Sequence, residues 1–173
     1  MTKYKIGLGG GCHWCTEGIF QSSHGVQEVE QGWIASEGKH SALSEAVIVH
    51  YDPEVMDLKT LIKIHFLTHA STSDHSMRGK YRSAIYTFTP EQALESKEIL
   101  TELQLDSSEK IITNVLAFHS FKCNKEDQLN YFYNRPDSPF CTSYIHPKLA
   151  LLMQKHRKHL NIDKLIEAGI DFG

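Results

Sequence analysis

Short runs of β-branched and aromatic residues recur along the chain and predict strands. One such run is EAVIVHY at residues 45–51. The predicted strands cover residues 3–8, 26–34, 45–51, 83–89 and 110–118. Glycines at positions 9, 10 and 11 follow the first run and let the backbone turn sharply there.

Apolar residues at three- and four-residue steps predict helices between these strands. The clearest pattern covers residues 57–70, and a second helix covers residues 90–104 with Thr89 as its cap. Shorter helices are predicted over residues 14–22, 148–156 and 163–168. Because strands and helices alternate irregularly and residues 26–51 have hairpin spacing, we predict an α+β domain with a mixed sheet and helices packed on it.

Composition restricts the class of protein. The 173 residues are 40% hydrophobic and form one predicted domain, residues 1–173. With 18 basic and 21 acidic side chains the net charge is −3, which argues against a nucleic-acid-binding protein. No apolar run approaches the roughly 20 residues that span a membrane, and no long apolar run opens the chain. We therefore expect a soluble cytoplasmic protein.

The cysteines are too few for a disulfide scaffold and lie at positions 12, 15, 123 and 141. Cys12 follows the glycines and comes just before a predicted helix, whose N-terminus favours a thiolate. Trp14 would provide an apolar wall beside the sulfur. These features predict a nucleophilic cysteine at position 12.

Two other kinds of site fit parts of this pattern. Cys12 and Cys15 form a Cys-x-x-Cys pair after a strand, which is typical of a thiol–disulfide exchanger. A zinc site could use the same pair with His24, but no second Cys-x-x-Cys is present, so zinc is the weaker hypothesis.

Several segments resemble motifs of the peptide methionine sulfoxide reductase A family, in family order over about residues 5–153. Residues 11–14, GCHW, resemble Gly-Cys-Phe-Trp, and residues 80–86, KYRSAIY, resemble Gln-Tyr-Arg-Ser-Ala-Ile-Tyr. The further matching segments are residues 44–53, 118–127 and 139–149. The resemblance implies the family's ferredoxin-like α+β sandwich.

The resemblance also implies a mechanism. Cys12 would attack the sulfur of methionine-S-sulfoxide while Glu45 protonates the departing oxygen, because an unprotonated oxide is a poor leaving group. Tyr81 would donate a hydrogen bond to that oxygen. The resulting sulfenic acid would be captured by Cys141, carried on a mobile loop, or by Cys15, one helical turn away.

Substrate and reductant follow from the same resemblance. His13, Trp14, Trp33 and Asp74 would line the pocket for methionine sulfoxide, either free or in a peptide. A thioredoxin-like protein or another dithiol would reduce the disulfide. No metal, flavin or nicotinamide cofactor is expected, and neither nucleic acid nor membrane is an expected partner.

The sequence departs from the family at four pocket positions. His13 replaces Phe, Cys15 replaces Gly, and Trp33 replaces a Tyr donor. The family's acidic position before Tyr81 falls on Asp74 or Ser76, depending on loop length. These changes leave open a thiol-based redox sensor, or a thiol–disulfide oxidoreductase, on the same fold without sulfoxide turnover.

Overall fold

The computed structural model describes residues 4–170, so position 3 of the first predicted strand lies outside it. Six strands form one mixed sheet in the order β5-β4-β1-β3-β2-β6, in which only β4 and β5 run parallel. The strands are β1 (Lys5–Gly9), β2 (Val26–Ala35), β3 (Ser44–Tyr51), β4 (Ala84–Thr87), β5 (Asn114–Ala117) and β6 (Ser120–Cys123).

Six α-helices connect or follow these strands. They are α1 (His13–Gln21), α2 (Leu58–Thr68), α3 (Pro90–Leu105), α4 (Tyr131–Asn134), α5 (His146–Lys155) and α6 (Ile162–Glu167). A π-helical turn, Cys141–Ile145, leads directly into α5. Short 3-10 turns lie at Gly38–His40, Ser76–Gly79, Glu126–Gln128 and Arg157–His159. Within residues 4–170, no helix is long and apolar enough to cross a membrane.

The alternation of side chains along β3 divides the core into two parts. Val47 and Val49 face a large cluster to which every helix contributes, including Phe20 of α1 and Leu61 of α2. Ala46, on the opposite face, belongs to a smaller cluster that aromatic side chains cover. The helices therefore bury one face of the sheet, and the α+β prediction is confirmed.

The last two strands differ most clearly from the sequence prediction. The strand β6 was not predicted, because its four residues are mostly exposed and carry no alternating apolar pattern. The strand β5 begins at Asn114 rather than at residue 110, since the backbone N–H of Ile112 donates to Ser71, outside the sheet.

The turn after β1 brings Cys12 to the start of α1. Gly10 has φ +146°, and a Cβ there would lie 2.4 Å from the His69 ring, so a glycine is required. Gly9, the last residue of β1, pairs with Ala46 of β3. The beginning of β3, which carries Glu45, therefore lies beside the turn that carries the thiol.

Candidate active site

Cys12 occupies the N-cap of α1, as the glycine-rich turn predicted. Its backbone is extended, with φ −60° and ψ 129°, and its carbonyl accepts the N–H groups of Cys15 and Thr16 at 3.1 and 3.2 Å. The thiol is partly exposed. The side chain thus lies at the positive end of the helix dipole and remains open to a substrate.

The thiols of Cys12 and Cys15 form a polarised pair. Hydrogen bonding from the Cys15 thiol lowers the pKa of Cys12, and the backbone N–H of Trp14 adds to this effect, although burial and Glu45 oppose it. The same hydrogen bond, together with burial, raises the pKa of Cys15 well above its usual range. Of the two thiols, Cys12 is therefore the one that gives up its proton more readily.

Cys141 does not lie on a mobile loop, contrary to the prediction from its Pro- and Ser-rich approach. It is the first residue of the π-helical turn, is fully buried, and belongs to the main core. Its burial raises its pKa. The Cys141 thiol acts electrostatically on Cys15, so Cys15 interacts with both Cys12 and Cys141. The four cysteines of the chain are all free.

Glu45 lies directly beside the N-terminus of α1. It is 6% exposed, and one carboxylate oxygen accepts the backbone N–H of His13 at 3.2 Å. Lys80 Nζ lies 3.6 Å from the other oxygen. Because Glu45 also acts electrostatically on Cys12, the structure brings the predicted nucleophile and the predicted acid into one site.

His13 is buried, and its ring is held from two sides. Nδ1 lies 2.8 Å from the carbonyl of Gly32, which can only accept, so Nδ1 carries a proton. Nε2 then faces Glu45 at 3.5 Å and the side-chain amide of Asn124 at 3.4 Å. The ring meets Trp33 edge to face, with 5.1 Å between centroids. A polar ring therefore occupies the pocket wall without losing its hydrogen bonds.

A buried polar network behind His13 was not found by sequence reasoning. The amide of Asn124 donates to Gln31 at 2.7 Å, and the amide of Gln31 donates to Glu17 at 2.9 Å. Glu17, four residues after His13 on α1, is 1% exposed. Its neighbours four residues away on α1 are His13 and Gln21, so no local apolar pattern indicated that Glu17 is buried.

Trp14 belongs to an aromatic cluster that also contains two residues absent from the prediction. Its indole stacks on Tyr131 with centroids 3.9 Å apart and planes 3° apart. Phe140 meets both rings edge on, at 5.2 and 5.8 Å. Trp14 is thus part of an apolar surface that residues from α4 and from the turn before Cys141 complete, and its role as a wall beside the thiol stays a prediction.

Tyr81 is half-buried and follows Lys80 in a segment tied to the thiol-bearing turn. The guanidinium of Arg78 donates to the carbonyl of Tyr81 and to that of Gly10, each at 2.8 Å. Lys80 Nζ lies 5.1 Å from the centroid of the Tyr81 ring. Arg78 therefore fixes the Tyr81 segment against the turn that carries Cys12.

The remaining two predicted pocket residues have different positions. Trp33 pairs with Glu45 in the sheet and packs on His13, so it lies in the site. Asp74 is exposed and lines a separate cavity of about 400 Å³, where its charge acts on Arg78. Among the described residues, none of its contacts reaches Cys12 or Glu45.

Ser76, the alternative for the acidic position, begins a 3-10 turn. Its side chain lies outside the described part of the structure. In the range 4–170, no group of three or more His, Cys, Asp or Glu side chains is arranged to hold a metal ion.

Comparison with known families gives a match to the model described as "Peptide methionine sulfoxide reductase" over residues 4–161. The chain is 32% identical over 161 residues to peptide methionine sulfoxide reductase MsrA of Deinococcus radiodurans, covering 84% of this chain and 78% of that protein. It is 31% identical over 163 residues to MsrA of Trichodesmium erythraeum, covering 85% and 92% respectively.

Solved structures with the same fold include Mxr1 of Saccharomyces cerevisiae in its reduced form. The TM-score is 0.73 at 22% identity, covering 83% of this chain and 91% of that one. Mxr1 in complex with Trx2 matches with a TM-score of 0.60 at 22% identity, covering 75% and 85%.

Proposed function

The chain belongs to the peptide methionine sulfoxide reductase A family and reduces methionine sulfoxide, and we propose that Cys12 and Glu45 carry out this reaction with Cys15 as the first resolving thiol. The observation that supports the proposal most strongly is the position of the Glu45 carboxyl, which the His13 N–H holds at the helix end that carries the Cys12 thiol.

The first step transfers oxygen from the substrate to Cys12. The thiolate attacks the sulfur of the sulfoxide, and Glu45 gives its proton to the oxygen. The oxygen passes to Cys12, which becomes a sulfenic acid, and two electrons pass to the methionine sulfur. Methionine then leaves as the thioether. Tyr81 donates a hydrogen bond to the oxygen during this step.

The second step forms a disulfide and releases water. Cys15 attacks the sulfenic sulfur of Cys12, and the hydroxyl group leaves with a proton. Cys15 is favoured because its thiol already contacts Cys12, whereas the resolving role of Cys141 stays a prediction. Cys141, buried beside Cys15, is placed to exchange into this disulfide afterwards.

An external dithiol then restores both thiols. We infer a thioredoxin-like reductant, and the solved complex of Mxr1 with Trx2 supports this inference for a protein of the same fold. Cys12, at the partly exposed end of α1, is the sulfur that such a reductant can reach.

The aromatic cluster gives the site its apolar surface. Trp14 follows His13 in the first turn of α1, and its ring packs against Tyr131 and Phe140. We propose that the methyl group of the substrate packs near this cluster, while Trp33 and His13 form the opposite wall. Asp74 is the least favoured of the predicted pocket residues, because its contacts lie in the other cavity.

Turnover of the separated S and R epimers of a methionine sulfoxide peptide, with excess dithiothreitol, tests the reaction. We expect reduction of the S epimer, its abolition by Cys12→Ser, and a loss of about 10²- to 10⁴-fold in Glu45→Gln. A Glu45→Gln variant with wild-type turnover would remove Glu45 from the proposal.

Peptide mapping by mass spectrometry after one turnover without reductant identifies the resolving thiol. If Cys15 resolves, Cys15→Ser accumulates sulfenic acid at Cys12, whereas Cys141→Ser still forms the disulfide between residues 12 and 15. The opposite pattern would assign the role to Cys141.

A further inference from the structure

We propose that Lys80 is a further catalytic residue of the sulfoxide step, with its ammonium group binding the sulfoxide oxygen between Glu45 and Tyr81. This inference rests on the proposed function, because it requires a substrate oxygen beside Glu45. In the family motif that residues 80–86 resemble, this position is a glutamine, so the positive charge is a property of this chain.

Two hydrogen bonds fix the backbone of Lys80 against the start of β3. Its carbonyl accepts the backbone N–H of Glu45 at 3.0 Å and the hydroxyl of Ser44 at 2.9 Å. The oxygen of that hydroxyl in turn accepts the backbone N–H of Arg82 at 2.8 Å. The lysine side chain therefore starts from a position held against the residue that carries the acid.

The side chain extends over both predicted oxygen-binding groups from the open side of the site. Its nitrogen lies 3.6 Å from Glu45 Oε2 and 5.1 Å from the centroid of Tyr81. The lysine side chain is 56% exposed and that of Glu45 only 8%, so a substrate entering toward the carboxyl passes the ammonium. Hydrogen bonding with Tyr81, then attraction to Tyr81 and Glu45, raises the pKa of Lys80 and keeps it cationic.

An ammonium group suits the charge that develops in this reaction. The sulfoxide oxygen is partly negative and becomes more so as Cys12 attacks the sulfur. Lysine has three N–H donors, so Lys80 can contact Glu45 and the oxygen at once. Glu45 supplies the proton that the oxygen takes, Lys80 keeps its own, and the carboxylate left behind is stabilised by the adjacent cation.

Single-turnover reduction of N-acetyl-methionine-(S)-sulfoxide by the pre-reduced full chain tests the role. We expect Lys80→Gln to slow the step about 10-fold or more, and Lys80→Arg to keep most of the rate. Lys59→Gln is the matched control, since Lys59 is similarly exposed and pairs with Glu102 at 2.8 Å on α3. It should leave the rate unchanged.

Thermal unfolding of each variant separates catalysis from folding. A wild-type single-turnover rate in Lys80→Gln would overturn the role of Lys80. A slow Lys80→Gln variant with a Tm well below that of wild type would overturn it as well, because the lysine would then act through the fold. If Glu45→Gln fails to slow the wild-type reaction, the proposed acid is wrong. If Glu45→Gln slows the single-turnover reaction and Lys80→Gln does not, the role of Lys80 is wrong and that of Glu45 stands.

Discussion

Replacing Glu17 by glutamine should destabilise the protein by about 1–3 kcal/mol, through the network that supports His13. The Glu17 carboxyl accepts the amide of Gln31 at 2.9 Å and the backbone N–H groups of Asn130 and Tyr131 at 3.0 and 3.3 Å. A glutamine has one acceptor oxygen, so at least one of these three donors would face an NH₂ group. An unpaired buried donor costs about 1–3 kcal/mol.

Urea and thermal unfolding measure this change. In a domain of this size each kcal/mol corresponds to roughly 2–4 °C, so we expect Glu17→Gln to lower Tm by about 2–12 °C. Glu98→Gln, at an exposed position on α3, is the control and should change the free energy of unfolding by less than about 0.5 kcal/mol. Equal stability of the two variants would refute the network's contribution.

The pH dependence gives a second, sharper test of Glu17. Burial raises the pKa of this carboxyl above its ordinary value, so the folded state binds the proton more tightly than the unfolded state. The stability that Glu17 provides is therefore complete below the ordinary glutamate value and decreases as pH rises through the folded value. Glutamine cannot ionise, so the stability of wild type relative to Glu17→Gln should fall as pH rises above the ordinary glutamate value. A difference that grows with pH would contradict this reasoning.

Two further substitutions test the thiol pair and the packing of the sheet. Cys15→Ala removes the hydrogen bond that lowers the pKa of Cys12, so the pH midpoint for alkylation of Cys12 should rise, and an unchanged midpoint would contradict the pairing. Gly32→Ala would place a Cβ 2.0 Å from a backbone oxygen of β6, so urea unfolding should show a loss of at least about 1–3 kcal/mol. Gly79→Ala, whose Cβ would meet nothing within 4 Å, should stay within about 0.5 kcal/mol of wild type.

Features determined by neighbouring residues could be predicted from the sequence. The glycine-rich turn and the helical pattern after it placed Cys12 at a helix N-terminus, and the structure confirms that position. The β-branched run at residues 45–51 predicted a strand, and β3 covers Ser44–Tyr51. Local backbone preference and burial act in the same direction at these positions.

Features that depend on strand register could not be predicted in this way. His13 reaches Gly32 and Asn124 only because β2 and β6 lie side by side beneath α1. The prediction that Cys141 lies on a loop was wrong for a related reason. The residues before it favour a turn, but the backbone of Thr142 already donates to Ser138 in a helical pattern, and core packing buries the thiol.

The departures from the family motifs are physically connected rather than independent. A phenylalanine at position 13 would need no polar partner, whereas the His13 ring requires the carbonyl of Gly32 and an amide, which Asn124 supplies. Glu45 contacts both this ring and Lys80, which stands where the family motif has a glutamine. Changing His13 alone would leave the carbonyl of Gly32 and the amide of Asn124 without the histidine ring as a partner. Changing Lys80 alone would leave Glu45 with the His13 ring but without the cation. The polar pocket wall and the added cation therefore act on the same carboxyl, and their effects on sulfoxide reduction should not be additive.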